Sequence, residues 1–485
     1  MGRRGSVTVF FALILSLLIT LVVSCFWSAQ MAAARVQIAN GAEIGLYSLF
    51  AQYDSELLEV YNLFYLDGGF GQGELNMGKV YDTVTSYMEP VLHQNYQNLQ
   101  LESGGITGYR LATDNHGESF RQQASAYMQE TLGAQGIQLL LEKIERGSAD
   151  VQEQQNTKEN AQQGNSLEDY DRALSEAAGS GEDAEGVVEV EPGNEVEEVT
   201  PPVENPIDTI RSIQQMGILE LVLTNPSAVS QKTTDVSLLA SNRTLQQGMG
   251  IFEGRETESA STENILFQEY ILRQTGNFQR PAQSGQLEYL CEYIIGKSGS
   301  DVDNLKAVAN RLLMIREGIN FVYLLGDAPK RAQAESLATA ISSALLIPMA
   351  SGIVEMVLLG CWAYGESILD VRELFAGGKV PLMKNASNWQ LELENLGQLL
   401  RRMDTDRRDD TQGMDYEDYL RVLLYLEDQQ TKTMKCLDAF ELTVRAAEGH
   451  AQFRMDSCID ALEVSVDVRA NNRKTFCVTR QYRYR

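Results

Sequence analysis

The feature that most constrains this chain is a run of 22 residues, Ser6 to Trp27, without a single charged side chain. As a helix such a run reaches about 33 Å, enough to cross a hydrocarbon core of about 30 Å. Arg3 and Arg4 precede it directly, and the next charge is Arg35. Basic residues stay on the cytoplasmic side, so residues 1–5 are expected in the cytoplasm, 6–27 in the membrane and the rest outside. Trp27 falls at the far end, where an indole ring favours the interface. A cleaved signal peptide is the competing reading, with Ala32-Ala33-Ala34 as small residues for cleavage. Its apolar region is typically about 7–15 residues, shorter than this one.

Bulk properties bound the remainder. At 485 residues the chain is long enough for roughly two or three folding units. An apolar fraction of 44% is that of ordinary globular proteins, so most of the chain should bury a core. The net charge of −27 argues against nucleic acid, because phosphate binding needs concentrated Lys and Arg. Six cysteines at 25, 291, 361, 436, 458 and 477 form no C-x-x-C pair, and only His93, His116 and His450 are available beside them. Zinc ligation needs closely spaced ligands, so no metal site is expected. Cys436 and Cys458 are a conceivable pair, with isolated buried thiols the preferred reading.

Beyond the span, Leu46, Leu49, Phe50, Tyr53, Leu57, Val60, Tyr61 and Phe64 recur every three or four residues, which predicts a continued helix with one apolar stripe, stopped at Gly68-Gly69. The glycines from Gly68 to Gly73 follow a helix and lack a Gly-Lys-Ser/Thr ending, so they read as a loop and not as a phosphate cradle. Residues 99–101 and 106–111 read as a short hairpin around Ser103-Gly104-Gly105, and 120–145 as a helix. Residues 148–206 carry 16 acidic side chains against Lys158 and Arg172, with few large apolar residues. Such composition predicts a disordered acidic insertion between residues 28–147 and a body at 207–485.

Within that body, 207–240 and 263–295 have helical spacing. Ser300 with Asp303 makes a capping box. Asp301 and Asp303 begin like a calcium loop, but Leu305 and Lys306 occupy the positions that should continue it. Asp327-Ala328-Pro329 starts another helix. Residues 337–365 are the most apolar part, yet Pro348, Gly352 and Glu355 interrupt them, so a buried helical hairpin is expected in place of a second span. Glu366 and Asp370 lie four residues apart on one helical face, with Arg372 close by. Two carboxylates so placed can serve acid–base chemistry; an arginine-paired structural network is the preferred reading. Residues 379–382 should be extended because of Pro381, 389–403 and 416–449 helical with a cap near Asp415. Leu462, Val464, Val466 and Val468 alternate, Asn471-Asn472 turn, and Phe476, Val478, Tyr482 and Tyr484 complete a hairpin.

Two resemblances follow from particular residues. Arg3-Arg4-Gly5-Ser6-Val7-Thr8-Val9-Phe10-Phe11-Ala12-Leu13, with Leu17-Leu18 and then Arg35 to Ala42, resembles the N-terminus of TadE/TadG-like proteins, minor pilin-like components of Tad (Flp) pilus systems. Phe10 stands where those proteins often carry a glutamate, and Ser16 where they often carry a proline. The resemblance therefore implies an accessory part and not the repeating filament subunit. Glu292 to Lys297, Ile315 to Phe321 and Trp362 to Arg372 resemble an uncharacterised family of bacterial membrane proteins.

The expected fold is α+β, mostly helical, with a small antiparallel sheet. The leading functional expectation is a membrane-anchored extracytoplasmic accessory component of a pilus or secretion assembly, with the lipid bilayer and assembly proteins as partners. No catalytic, cofactor or metal residue is assigned and no cofactor is expected. The runner-up is an anchored enzyme or ligand sensor using Glu366 and Asp370. A deep polar pocket at those residues would favour the runner-up, and an apolar groove along the N-terminal helix the assembly role.

Overall fold

The structure, a computed structural model, describes residues 3–94, 98–163, 166–179, 205–252, 259–396, 413–471 and 474–484. It is mostly helical with one small antiparallel sheet, and it divides into two compact units. The first contains residues 1–131, 237–263 and 433–485; the second contains 132–236 and 264–432.

The first unit is organised by helix α1, Arg3–Phe50. Its stretch from Val7 to Trp27 carries apolar side chains exposed on every face, with Leu17 66% and Phe26 64% exposed. From Met31 the same helix becomes one-sided. Ala34, Ile38, Ala42, Leu46 and Leu49 are fully buried at helical spacing. They meet α3, Met77–Leu92, through its Val80, Val84, Met88 and Leu92. Gly45 permits that approach: a Cβ there would sit 2.7 Å from the Val84 carbonyl oxygen. Helix α1 ends at Phe50, earlier than the apolar stripe suggested. Asp54 accepts a hydrogen bond from the Leu57 amide and starts the separate α2, Ser55–Tyr61. A capping carboxylate thus outweighs a continuing apolar pattern.

The sheet lies against α1 and α3. Strand β3, Cys458–Ala470, is central. It pairs along one edge with β2, Leu99–Leu111, and along the other with β1, Leu66–Asp67, and β4, Lys474–Arg483. Leu462, Val464, Val466 and Val468 alternate into the core, so the C-terminal hairpin stands as expected. Residues 99–111 differ from expectation: they form one strand with bulges at Leu101/Ser103, Ile106/Gly108 and Arg110/Leu111. The Ser-Gly-Gly segment that reads locally as a turn is absorbed as a bulge against β3. Asn472 lies outside the described residues.

Helix α4, Asp114–Gln162, contributes its residues through Thr131 to the first unit and the rest to the second. It overturns part of the disorder expected at 148–206. Residues 148–162 continue α4, and α5 spans Leu167–Gly179. The sparse apolar residues are well placed: Val151 and Tyr170 are each 1% exposed. Lys158 Nζ meets Glu317 at 2.8 Å. Gln, Glu and Ala are also good helix formers. Residues 180–204 lie outside the described residues.

The second unit packs around α10, Asp301–Gly326, α11, Ala328–Ala344, and α12, Ser351–Phe375. Ser300 caps α10 by accepting from the Asp303 amide, and Asp327 caps α11 by accepting from Lys330. The α11–α12 pair is the expected helical hairpin, but only α12 is largely buried; most of α11 and the turn at Leu345–Met349 face solvent. The long stretches expected at 207–240 and 263–295 resolve into shorter pieces: α6 Pro206–Gln214, α7 Ile218–Val222, α8 Ala260–Gln274 and α9 Leu290–Gly296. Helix α13, Tyr416–Leu426, starts on Asp415, and α14, Gln429–Val444, follows a break at Glu427-Asp428. Residues 389–392 are not helical and 397–403 lie outside the described residues. Cys291, Cys361, Cys436 and Cys458 are buried thiols outside any disulfide.

Candidate functional site

Two facing helices each bring a pair of polar residues one turn apart, Arg316 with Asn320 on α10 and Glu366 with Asp370 on α12. Arg316 Nε donates to Asp370 Oδ2 at 3.0 Å and Nη2 donates to Asn320 at 3.1 Å. Asn320 Nδ2 in turn reaches Asp370 Oδ2 and the Ser367 hydroxyl, both at 2.9 Å. A third strand of contacts comes from the segment after α12. Pro381 holds the chain extended there, and Val380 exchanges two backbone hydrogen bonds with Met414. The carbonyls of Pro381 and Leu382 each accept from Arg316 Nη1 at 3.0 Å, as does the Tyr419 hydroxyl of α13. Lys384 then points inward, donates to Glu366 Oε1 at 2.6 Å, and lies 2.7 Å from Asp370 Oδ1, an ion contact without hydrogen-bond alignment. Glu366 also accepts from the amides of Gln390 and Leu391.

Two cations and two carboxylates therefore cancel in a volume closed to solvent. The side chains of Arg316 and Glu366 are 0% exposed, those of Asp370 and Lys384 1%. Burial pushes the Asp370 carboxyl upward, but Arg316 and Lys384 outweigh it and hold Asp370 below its ordinary value. Burial raises Glu366, with Lys384 only partly opposing it. Burial lowers Lys384, and the two carboxylates more than reverse that. Nothing can reach these groups without unfolding the packing around them, so the arrangement fastens four segments to one another and offers no reacting surface.

Glu366 and Asp370 are thus brought together as the sequence suggested, but Arg372 is not their partner. Its Nη1 donates to the Leu221 carbonyl at 3.1 Å. Arg316, Lys384 and Asn320 were missed. The available signal was Arg316 itself, a lone cation among Leu312, Leu313 and Ile319 on an apolar helical face.

Other polar positions have structural uses. Asp301 accepts from the Ser230 hydroxyl and from the amides of Glu288 and Tyr289. Asp67 accepts from the amides of Gly69 and Gly71, which orders the glycine-rich loop. In the first unit Arg243 pairs with Glu441 and Asp456. Glu292 is buried with a tyrosine hydroxyl and a backbone amide as its hydrogen-bond donors, Tyr416 at 2.7 Å and Phe278 at 2.8 Å. Burial pushes its carboxyl up to about 7. Among the described residues no three His, Cys, Asp or Glu side chains converge in a metal-binding group.

Two surface depressions belong to the first unit. One, of about 620 Å³, is lined by Asp114, His116, Glu118, Gln246 and Phe252. The other, also about 620 Å³, runs along α1 beyond the apolar span and is lined by Ala33, Val36, Asn40 and Ile44 with Val91 and Gln94. Val36 is 59% and Ile44 44% exposed.

Neither a curated protein nor a solved structure matches the chain. A family model matches residues 196–470, more than half of the chain and inclusive of the buried network. The chain belongs to that family, a family of unknown function designated DUF5702.

Proposed function

We propose that this protein is a membrane-anchored structural component of an extracytoplasmic assembly, with its short N-terminus in the cytoplasm. The carrying observation is the continuity of α1. One uninterrupted helix passes from an exposed apolar stretch, Val7 to Trp27, into the buried core at Met31 to Phe50. A helix long and apolar enough to span a bilayer is thereby welded to a folded body, which suits transmission of position or force between membrane and body. The groove of Ala33, Val36, Asn40 and Ile44 supports the same reading, since it leaves an apolar face beside the anchor for a neighbouring helix. The N-terminal resemblance narrows the assembly to a Tad-type pilus or secretion system. Phe10 cannot accept the charged hydrogen bond that a glutamate would, which favours an accessory part over a filament subunit.

The test is site-specific photo-crosslinking in the native envelope from a probe replacing Val36. Adducts with proteins encoded beside a pilus ATPase and a prepilin peptidase are expected. Adducts confined to lipid, or a body protected from protease in intact protoplasts, would overturn the reading.

A further inference from the structure

The turn between α11 and α12 carries an exposed apolar tip. Met349 is 100% exposed, Leu346 83% and Leu345 38%. No charged residue occurs between Glu335 and Glu355, although the chain as a whole carries −27. The backbone that presents these side chains is closed upon itself. The Ile347 amide donates to the Ser342 carbonyl at 2.8 Å and the Leu346 amide to Ser343 at 3.2 Å, a Schellman pair that ends α11. Leu346 occupies the left-handed position of that motif, with φ +60°. Glycine is the usual occupant because a Cβ is strained there. The chain instead places a leucine at that point and points it into solvent, so its exposure is built into the turn.

The hydroxyls of the last turns of α11 are folded back. Ser342 donates to the Ala338 carbonyl at 2.6 Å, Ser343 to Thr339 at 2.7 Å and Thr339 to Glu335 at 2.9 Å. The Leu345 and Ala350 amides are bonded within the turn, and Pro348 has no N–H. A hydrophobic, uncharged, convex tip whose Leu345, Leu346, Ile347 and Ala350 amides are already bonded can enter an apolar phase at low cost.

We infer that the Leu345–Met349 tip dips into the acyl–headgroup boundary of a lipid bilayer, giving the chain a second membrane contact distinct from its N-terminal helix. Its insertion is hydrophobic and not electrostatic. The nearest basic residues on α11, Lys330 and Arg331, are four turns from the tip by the α-helical repeat. The contact should therefore be equal on zwitterionic and anionic lipid and insensitive to salt, unlike basic interfacial helices. The inference concerns lipid contact and is independent of which assembly the chain serves.

The experiment uses the full chain with Cys25→Ser and Cys477→Ser, an environment-sensitive fluorophore on Met349→Cys, and reconstitution in phosphatidylcholine vesicles. Spin-labelled lipid carrying its nitroxide near the headgroup should remove at least half of the emission. Phosphatidylglycerol or several-fold more salt should leave that loss unchanged. Adding Leu346→Gly to the labelled chain should keep or raise the melting temperature, because glycine suits the left-handed site, while the quenching falls. An unquenched probe in water-like surroundings, a probe shielded without lipid quenching, or full quenching in the glycine variant would each overturn the inference. Alkaline extraction of the same vesicles reports the N-terminal anchor separately.

Discussion

Among the described residues two helical stretches are long and apolar enough to cross a membrane, Val7–Phe50 and Pro348–Phe375, and they meet opposite fates. The most apolar window of the first is 0% buried within the protein, and that of the second 61%. The first has no charge over 22 residues. The second contains Glu366 and Asp370, each tied to cations on other segments, and its apolar face packs against α10 and α11. Hydrophobicity alone does not separate a span from a core helix, because lipid and protein interior are both apolar. Paired ions do, since their partners must come from folded protein.

The largest expected effect tests the buried side of that contrast. Asp370→Ala leaves Arg316 buried without its carboxylate and should cost about 3–5 kcal/mol, read as a lower urea midpoint with secondary structure retained below it. A loss under about 1 kcal/mol would mean that the network is solvated. The exposed side is tested by Leu17→Asp. A carboxylate near the middle of the span should cost about 2.5–3.5 kcal/mol of insertion and move protein into the alkali-extractable fraction, leaving the melting of the body unchanged.

A third prediction sharpens the role of counter-ions by using a buried carboxylate that has none bonded to it. Burial raises Glu292 from 4.5 to about 7. The folded state therefore holds its proton more tightly than the unfolded state. Stability from this group is full below pH 4.5 and is lost as pH climbs through about 7. The difference is about 3 kcal/mol, and Glu292→Gln should flatten this part of the pH profile in calorimetric scans. A profile of identical slope in the variant would rule Glu292 out as the source. The smallest effect concerns the arginine beside the carboxylates in sequence. Arg372→Ala, which removes the bond to the Leu221 carbonyl and leaves the buried carboxylates paired, should cost less than Arg316→Ala, which should match Asp370→Ala.

Legibility divided along the range of the interactions. Ser300, Asp327 and Asp415 announced helix starts because a cap bonds an amide three residues away, inside the window that a sequence presents. The alternation of Leu462 to Val468 announced a strand for the same reason. Ser103-Gly104-Gly105 misled, because β2 is held by β3, some 350 residues later, and not by its own turn. The acidic composition of 148–179 misled as well, because Val151, Lys158 and Tyr170 find partners that composition cannot display.

By itself the sequence determined the uncharged span, the charge asymmetry around it, the caps and the C-terminal hairpin. Each depends on side chains within a few residues of one another or on the length of a run. Only the tertiary structure decided that Glu366 and Asp370 answer to Arg316 and Lys384, that α1 passes from its exposed apolar stretch into the core, and that Leu346 is turned outward. Those outcomes depend on which distant surface covers a given face, and burial converts a charge or a leucine from a local property into one set by its neighbours.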